Sequence, residues 1–414
     1  MKGNKMMLSN LKKKILVINA GSSSIKFQLY EITTNKQFNP ICKGLAERIF
    51  VDGKTTIKYN NNNNEFVSDT SLSNHNVAAE VILELLKSQN VIQNFNEIIA
   101  VGHRIVHGGE KIKESVLVND DIIKIIAENI KLAPLHNPAG LSTLKAFQAV
   151  ANCPHIAVFD TTFHTTMPKI NYIYPVPYNW YTDYNVRRYG FHGISYHYII
   201  NKLSLIINKP VSNINAIVCH LGNGASICAI KNGKSYNTSM GFTPLAGLMM
   251  GSRSGDIDPA IHQYIAEQLN LDIVGVVNKL NNESGLLGVS QISSDTREVS
   301  QSAKDGNSQA QFTLELYAKR LVDYITQYQN DLDNKVDAIV FTAGVGENSA
   351  LIREMIIKNI KTMALDYNYG KNNQSYDDYL QISNDLSSVA IYAIRTNEEL
   401  MICEETYRLL NNIN

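Results

Sequence analysis

The chain has 414 residues, of which 44% are hydrophobic and 18% are charged, which is typical of a globular protein with a full core. Lysine plus arginine equals aspartate plus glutamate at 38 each, so the composition favours neither nucleic acid nor an anionic membrane as a partner. The length favours two domains over one.

The N-terminus does not predict export. Its lysines precede the apolar run 15–20, but this run is too short for the core of a signal peptide and contains Asn19. No run approaches the roughly 18 apolar residues that span a bilayer. The five cysteines are scattered and form no C-x-x-C pair, which is typical of reduced cysteines in a core. We therefore expect a cytoplasmic protein.

The first part of the chain alternates strands and helices. Apolar runs predict strands over 14–19, 25–32 and 41–50, a weaker strand over 55–59, and an exposed turn at Asn60–Asn64. Apolar spacing predicts helices over 77–86, 121–129 and 140–151, with Asn137 and Pro138 as start signals for the last. Buried strands are predicted over 97–101 and in "HIAVFD", which ends at Asp160.

The second part opens in the same way. Strands are predicted over 216–220 and 225–230, followed by an Asn-Gly turn at 232–233 and a third strand. Further helices are predicted over 259–268, 273–280, 310–328, 349–360 and 399–410, with strands over 338–341 and 389–394. A strand, a glycine turn and a second strand thus occur twice, each time followed by alternating helices and strands. This order predicts two α/β halves of similar plan, whose polar hairpins line one cleft.

Three glycine-containing turns follow apolar strands: "NAGSSS", "HLGNGAS" and "TAGVGEN". Glycine lets backbone N–H groups approach an anion, and serine or asparagine side chains add donors. The first turn lacks the GK[ST] of a P-loop, and strand-like residues follow it. One such turn is usually only a turn, but three in one chain favour polyphosphate binding. We expect "TAGVGEN" to precede a helix and to present its glycines at the helix N-terminus.

Two arginines and several histidines stand among glycines. Arg104 in "GHRIVHGG" and Arg253 in "MGSRSGDIDP" offer planar forks for carboxylate or phosphoryl oxygens, although an isolated arginine is more often part of a surface ion pair. No histidine pair has the spacing of a zinc site. His192 is the best catalytic candidate because Gly190 and Gly193 flank it, and His136 in "APLHNP" is next.

Two carboxylates end predicted strands. Asp160 lies at the carboxyl end of a buried strand, where ligands bind in α/β folds. Glu398 in "RTNEEL" follows the last strand, and it also suits a helix N-terminus. Oxygen ligands of this kind suit Mg²⁺. The aromatic run 171–191 has few basic residues before Arg187, which disfavours base stacking with nucleic acid.

Nine motifs together resemble the acetate kinase family, in the family's order and from about Lys14 to the end of the chain: "VINAGSSSIKFQLY", "GHRIVHGG", "APLHNP", "VFDTTFH", "RRYGFHGISY", "CHLGNGAS", "MGFTPLAGLMMGSRSGDIDP", "FTAGVGEN" and "RTNEEL". The resemblance implies the actin-like ATPase fold, with two duplicated ribonuclease-H-like domains around a central nucleotide cleft. The expected domains are 11–161, completed by the helix 398–414, and 162–397. It implies Mg²⁺-dependent transfer between ATP and acetate giving ADP and acetyl phosphate, with Mn²⁺ as an alternative metal, in a cytoplasmic homodimer.

The resemblance also implies roles for individual residues. It makes Asn19 and Glu398 the metal positions. The implied catalytic residues are Asp160, Arg104, Arg253, His192 and His136. The implied nucleotide contacts are Lys26, His220, Leu221, Gly222, Asn223, Gly224, Asp295, Thr296, Arg297, Gly344, Val345, Gly346, Glu347 and Asn348. The implied pocket for the substrate methyl group consists of Val106, Leu135, Phe191 and Pro244. The asparagine-rich turn and about ten residues before the first strand depart from the family, and neither touches a motif.

The chemistry favours direct in-line transfer. A carboxylate substrate has a pKa of about 4, so it is an anionic nucleophile at neutral pH and needs no general base. The arginines, a histidine and Mg²⁺ would offset its repulsion by the γ-phosphoryl group. Asp160 is then expected to act on the metal or on orientation, and full activity with unchanged Mg²⁺ dependence in Asp160→Asn would contradict that role. One alternative is a propionate kinase or a broad short-chain carboxylate kinase, since one methylene discriminates by only about 1–3 kcal/mol. Another is an ATP-dependent switch, against which the paired arginines and the small apolar pocket argue, because a switch has no reason to bind acetate.

Overall fold

The computed structural model describes residues 13–50, 56–61, 64–134 and 136–413. The chain separates into two compact units. One consists of residues up to Thr162 together with residues from Asn397 onward, and the other is Phe163–Thr396. Part of the turn predicted at Asn60–Asn64, as well as most of the N-terminal extension, lies outside the described residues.

The first unit is built on a mixed sheet with the strand order β5-β4-β3-β2-β1-β6-β8-β7. Antiparallel pairs join β1 to β5 in sequence, and β1, β6 and β8 are parallel. The strands are β1 (Lys14–Ala20), β2 (Ser24–Ile32), β3 (Phe38–Glu47), β4 (Thr56–Asn61), β5 (Asn64–Asp69), β6 (Ile98–Ile105), β7 (Val116–Leu117) and β8 (His155–Phe159).

Two helices of this unit begin at side-chain caps. Asn74 accepts hydrogen bonds from two backbone N–H groups at the start of the helix His75–Ser88, and Asn119 does the same once for the helix Asp120–Glu128. The unit also contains the helices Asn137–Val150 and Glu398–Ile413. Leu16, Ile18 and Phe27 of the β1–β2 hairpin pack with Ile82 and Phe147 in one buried apolar cluster. This core holds the hairpin and its polar turn against the helices.

The second unit has a mixed sheet with the strand order β11-β10-β9-β12-β14-β13. Its strands are β9 (Ala216–Leu221), β10 (Ala225–Lys231), β11 (Lys234–Thr238), β12 (Ala338–Thr342), β13 (Tyr379–Gln381) and β14 (Ala390–Ile394). Its helices are Lys169–Tyr172, Asn179–Tyr184, Gly193–Ile206, Ala260–Leu269, Ile273–Asn282, Gly285–Ser290, Thr296–Lys304, Ser308–Asp331, Ala343–Asn348, Ala350–Asn359 and Tyr369–Asn372.

The two sheets share one strand plan. The order β3-β2-β1-β6-β8 in the first unit corresponds to β11-β10-β9-β12-β14 in the second, with three antiparallel strands followed by two parallel ones in each. The register also corresponds, since Asn19 pairs with Lys26 in one hairpin and His220 with Ser226 in the other. The predicted fold class, two α/β halves of similar plan, is therefore confirmed.

Several local predictions differ from the structure. The strand predicted over 41–50 runs from Phe38 to Glu47, because Arg48 and Phe50 take left-handed backbone conformations. "TAGVGEN" precedes the helix Ala350–Asn359 as predicted, but its own segment Ala343–Asn348 is also helical and is not a simple turn. Among the described residues, no helix is both long and apolar enough to cross a membrane.

Candidate active site

One group of predicted site residues surrounds the guanidinium of Arg104 in the first unit. Arg104 lies near the end of β6, and Asp160 directly follows β8, the parallel neighbour of β6. The two side chains meet because parallel strands end at the same edge of a sheet. Arg104 Nε and Nη2 donate to the two carboxylate oxygens of Asp160 at 2.9 and 2.7 Å. This two-point contact fixes the plane of the guanidinium.

Two more predicted residues bring oxygens to the same guanidinium. Arg104 Nη1 lies 3.4 Å from Asn19 Oδ1 and 3.5 Å from Glu398 Oε2. Burial raises the pKa of Glu398 to about 7, while the charge of Arg104 opposes this rise and that of Asp160 adds to it. Burial would lower the pKa of Arg104, but the charges of Asp160 and Glu398 outweigh it and raise that pKa. Arg104 therefore stays charged.

The oxygens of Asn19, Asp160 and Glu398 are donors of the kind that Mg²⁺ prefers. Within the part of the chain that the structure describes, no group of three or more His, Cys, Asp or Glu side chains is arranged to hold a metal ion. Mg²⁺ does not need such a group, because it commonly takes one or two carboxylates and completes its shell with water and substrate phosphates. The carboxylates of Asp160 and Glu398 carry more negative charge than Arg104 alone neutralises, so these oxygen ligands fit a divalent cation.

Lys26 and Val106 lie near this group in the first unit. Lys26 pairs with Asn19 across the β1–β2 hairpin and is exposed, and its positive charge lowers the pKa of Glu398. Val106 directly follows β6 and is half-buried. The predicted pocket residue Leu135 lies outside the described residues.

His136 directly precedes the helix Asn137–Val150. The next residue, Asn137, is buried; its Oδ1 accepts from the backbone N–H of His107 at 3.0 Å, and its Nδ2 donates to the backbone C=O of His107 at 2.9 Å. Burial lowers the pKa of the His107 ring to about 4, and its Nδ1 accepts from the N–H of Gly109 at 2.9 Å. Asn137 therefore holds the start of this helix against the "HGG" turn.

A second group of predicted residues centres on two stacked histidines in the second unit. The rings of His192 and His220 are 4.1 Å apart between centroids, and their planes differ by 18°. His192 directly precedes the helix Gly193–Ile206 and has a left-handed backbone, with φ of 59°. Its Nδ1 lies 2.8 Å from Ser226 Oγ, and His220 Nδ1 lies 2.9 Å from Ser195 Oγ. A hydroxyl on each Nδ1 thus orients both rings.

The sequence reasoning missed these hydroxyl partners. Ser226 Oγ also lies 2.5 Å from the hydroxyl of Tyr196, and Ser195 Oγ lies 2.9 Å from Thr396 Oγ1. The register of the β9–β10 hairpin could have predicted that Ser226 lies near the site, because Ser226 pairs with His220 across the two strands. Nothing in the linear sequence relates Tyr196 to β10.

Arg253 lies beside Gly224 in the same unit. Its Nη1 donates to the carbonyl of Pro244 at 3.1 Å, and burial lowers its pKa. A Cβ atom built on Gly224 would lie 3.4 Å from Arg253 Nη1 and 3.7 Å from His192 Nε2. The missing side chain of Gly224 thus leaves a space with nitrogen atoms of Arg253 and His192 on two sides. The predicted pocket residues Phe191 and Pro244 also belong to this unit, and Phe191 is buried.

Three of the predicted nucleotide segments meet at one cavity of about 870 Å³ in the second unit. Gly222 and Asn223 come from the turn after β9, whereas Asp295, Thr296 and Arg297 begin the helix Thr296–Lys304. Gly344, Val345 and Asn348 come from the helix Ala343–Asn348. Residues that line it without having been predicted are Gly251, Leu286, Ser294, Ser300, Gln301, Lys304, Tyr317, Ser349, Ala350, Leu351 and Asn373. Gln301 and Lys304 lie one and two turns beyond Arg297 on the same helix, a spacing that could have revealed them.

Other predicted nucleotide residues of this unit do not line the cavity: His220, Leu221, Gly224, Gly346 and Glu347. Glu347 Oε1 accepts from the backbone N–H groups of Ala343 at 2.9 Å and Thr396 at 3.0 Å. Its carboxylate therefore fastens the helix Ala343–Asn348 to the end of β14. Asp295 caps the helix Thr296–Lys304, and hydrogen bonds from Arg297 lower the pKa of Asp295 to about 2.

Comparisons with known proteins identify the family of this chain. A model described as the Acetokinase family matches residues 14–404. The acetate kinase of Mycoplasma mycoides subsp. mycoides is 51% identical over 397 residues, which cover 96% of this chain and 100% of that protein. The crystal structure of Porphyromonas gingivalis acetate kinase has a TM-score of 0.91 at 38% identity, covering 96% of this chain and 100% of that one. A propionate kinase from Francisella tularensis subsp. tularensis has a TM-score of 0.88 at 39% identity, covering 96% and 99%. The chain belongs to the acetokinase family.

Proposed function

We propose that this chain is an acetate kinase that catalyses reversible phosphoryl transfer between ATP and acetate, giving ADP and acetyl phosphate. The observation that carries this proposal is the match to the family over residues 14–404, which includes every predicted site residue. The cavity of about 870 Å³ gives it physical support, because glycine turns and helix starts border a space large enough for a nucleotide.

Acetate acts as the nucleophile in the proposed reaction. Its carboxylate is ionised at neutral pH, so it attacks the γ-phosphorus without a general base. The barrier is then the repulsion between two anions. We assign Arg104 to the substrate carboxylate or the phosphoryl oxygens, and Arg253 to the phosphoryl group in the transition state. Arg104 suits this task because Asp160 fixes its guanidinium plane while Nη1 faces Asn19 and Glu398.

Histidines and apolar residues complete the proposed substrate site. We assign His192 to a phosphoryl oxygen and His136 to a supporting contact. The apolar residues Val106, Leu135, Phe191 and Pro244 would surround the substrate methyl group. Such a pocket favours acetate over propionate by only about 1–3 kcal/mol for the extra methylene.

The nucleotide is proposed to lie along four segments. These are Lys26, His220–Gly224, Asp295–Arg297 and Gly344–Asn348. Lys26 would contribute positive charge to the phosphates, and the glycine turns would contribute backbone N–H groups. Lys26 is exposed at the end of the first hairpin, so its ammonium group is accessible to a polyphosphate.

A divalent metal, which we propose to be Mg²⁺ with Mn²⁺ as an alternative, would be held by Asn19 and Glu398. Such an ion neutralises phosphate charge and polarises the transferring group. The side chains of Asn19 and Glu398 offer neutral and anionic oxygens close together, beside the fixed guanidinium of Arg104. Asp160 orients Arg104 and does not accept a proton.

We further propose that the two compact units are the duplicated ribonuclease-H-like domains of the family. The first would comprise residues 11–161 with the helix 398–414, and the second 162–397. We also propose that the enzyme is a cytoplasmic homodimer. Light scattering of the purified chain would test the oligomeric state, with a mass near twice 46.2 kDa expected.

Acyl phosphate formation tests the proposed function. The purified chain, ATP and Mg²⁺ are incubated with acetate, propionate or butyrate, and the acyl phosphate is trapped with hydroxylamine. We expect the highest kcat/KM with acetate. The likeness to a propionate kinase favours that activity as the second candidate, and a higher kcat/KM with propionate would select it. No acyl phosphate from any of the three acids would refute both.

A further inference from the structure

We propose that Tyr196 and Ser226 are positioning residues that hold the His192 ring in the tautomer with the proton on Nε2. The proposed reaction requires this tautomer, because His192 must donate an N–H to a phosphoryl oxygen; this part of the inference rests on the proposed function. The proton positions follow from the hydrogen-bond chain Tyr196–Ser226–His192 and can be tested without any assay of activity.

The chain begins at the buried hydroxyl of Tyr196. Tyr196 is fully buried, and the rings of Phe163, His164 and His220 pack around it. Among the residues that the structure describes, Ser226 Oγ is the acceptor within reach of this hydroxyl, at 2.5 Å. A buried O–H that donates to nothing is costly, whereas an unused lone pair costs less. The Tyr196 proton therefore points toward Ser226.

The direction of this first hydrogen bond determines the second. Ser226 is fully buried and lies between Tyr196 and His192, with its Oγ 2.8 Å from His192 Nδ1. Because Ser226 Oγ accepts from Tyr196, its own proton is available for His192 Nδ1. Nδ1 then carries no proton, and in a neutral imidazole the proton must be on Nε2.

The surroundings of His192 fix the direction of this Nε2–H group. The ring stacks on His220 at 4.1 Å, which sets its plane, and the hydrogen bond to Ser226 sets its rotation within that plane. Nε2 lies 3.7 Å from the point where a Cβ of Gly224 would be, and Arg253 Nη1 lies 3.4 Å from the same point. Two N–H donors thus border one space. With the proton on Nδ1 instead, Nε2 would present a lone pair to an anionic phosphoryl oxygen and repel it.

Tyr328 offers a matched control. Like Tyr196 it is a buried tyrosine of the second unit, but in the described part of the chain its hydroxyl has no hydrogen-bond partner. Tyr328→Phe therefore removes a buried hydroxyl that forms no hydrogen bond with Tyr196, Ser226 or His192. Tyr196→Phe removes only the hydroxyl of Tyr196 and keeps the packing of its ring.

The decisive experiment is nitrogen-15 NMR of the full-length protein with labelled histidine rings at neutral pH. The chemical shifts of ring nitrogens distinguish protonated from unprotonated atoms, and comparison with His192→Gln assigns His192 among the ten histidines. We expect unprotonated Nδ1 and protonated Nε2 in the unmodified protein and in Tyr328→Phe. In Ser226→Ala we expect the form protonated on Nδ1 to appear, because no hydroxyl then donates to Nδ1. In Tyr196→Phe we expect a smaller increase of that form, because Ser226 still donates to Nδ1 but without the hydrogen bond from Tyr196 that polarises its hydroxyl. A proton on Nδ1 in the unmodified protein, or an unchanged His192 in Ser226→Ala, would overturn the proposal. An unchanged His192 in Tyr196→Phe would overturn the role of Tyr196.

Kinetics then link the tautomer to transfer. Ser226→Ala should lower kcat by roughly tenfold or more, because a transition-state donor is lost or misdirected, with KM for ATP changed by less than about twofold. Ser226→Thr keeps the hydroxyl and should restore most of kcat. An unchanged kcat in Ser226→Ala, or an effect on KM alone, would overturn the positioning role. Absence of acyl phosphate with the unmodified protein would refute the proposed function instead, and the NMR result would still decide the tautomer.

Discussion

Replacing Asp160 by asparagine should disable catalysis by releasing Arg104. Asp160 accepts from the Arg104 guanidinium through both carboxylate oxygens, at 2.9 and 2.7 Å. The side chain of Asp160 is 3% exposed and that of Arg104 is 21% exposed. Asparagine has nearly the same shape, but its amide N–H₂ group cannot accept and would face the N–H groups of Arg104. The guanidinium would then keep only the more distant contacts with Asn19 and Glu398, at 3.4 and 3.5 Å.

The expected loss follows from the burial of this pair. Removing one partner of a buried ion pair costs about 3–5 kcal/mol of folding stability, and asparagine keeps one acceptor. We therefore take about 3 kcal/mol as the strength with which Asp160 holds Arg104 in its productive orientation. A loss of about 3 kcal/mol in the transition state lowers kcat/KM by roughly 100-fold. Asp378→Asn is the control, because Asp378 pairs with Lys202 with a half-exposed side chain and should cost less than about 1 kcal/mol.

A double-mutant cycle on acyl phosphate formation separates orientation from proton transfer. If Asp160 acts through Arg104, Asp160→Asn should lower kcat/KM by less than about threefold once Arg104→Ala is present. If Asp160 instead accepted a proton, Asp160→Asn would lower kcat/KM by its full factor even in the Arg104→Ala variant. Effects that multiply in the double variant, or full activity with unchanged Mg²⁺ dependence in Asp160→Asn, would therefore refute the reasoning.

Three further predictions concern the surroundings of the site. The pKa of His107 is about 4 when folded and about 6.5 when unfolded, so the unfolded chain binds the extra proton and stability is lost as pH falls between these values. The free energy of unfolding in urea should fall between pH 7 and pH 4 by up to about 3 kcal/mol more in the unmodified protein than in His107→Gln. Equal falls in the two proteins would contradict this. Gly224→Ala should change Tm by less than about 2 °C yet lower kcat by roughly tenfold or more, since its methyl group fills the space beside Arg253; unchanged turnover would show that this space is not used. Glu347→Ala removes the acceptor for the N–H groups of Ala343 and Thr396 and should lower the free energy of unfolding by about 1–3 kcal/mol and raise KM for ATP. An unaltered KM would indicate that the helix Ala343–Asn348 does not need this anchor.

The strand plan and the paired hairpins could be predicted from the sequence. In both hairpins a continuous apolar strand meets a polar turn, and alternation on the return strand fixes the register that pairs Asn19 with Lys26. Asp160 and Glu398 were recognisable because each follows a buried strand, a position that aims a side chain at the ligand edge of a sheet. The contact of Asp160 with Arg104 follows from the parallel pairing of β6 and β8. Glu398 reaches Arg104 from the start of the helix Glu398–Ile413 instead.

The rest depends on contacts between segments distant in the sequence. The helix Gly193–Ile206 was not predicted because its own apolar residues lie on several faces, so the sequence shows little of the 3.6-residue period of a helix with one apolar face. The helix Ala343–Asn348 is capped by its own Glu347, whose carboxylate accepts the Ala343 N–H, and no spacing rule for phosphate turns includes such a contact. The hydroxyl partners of His192 and His220 became visible only when the strands and helices were placed together.

Isotope transfer from acetate tests the central claim most directly. Acetate labelled with ¹⁸O in both carboxyl oxygens is incubated with the enzyme, ATP and Mg²⁺, and the acetyl phosphate is examined by phosphorus-31 NMR. Direct attack by the carboxylate predicts ¹⁸O in the oxygen that bridges carbon and phosphorus. Acetyl phosphate with an unlabelled bridge, or ATP hydrolysis that continues unchanged without forming acetyl phosphate, would contradict the account.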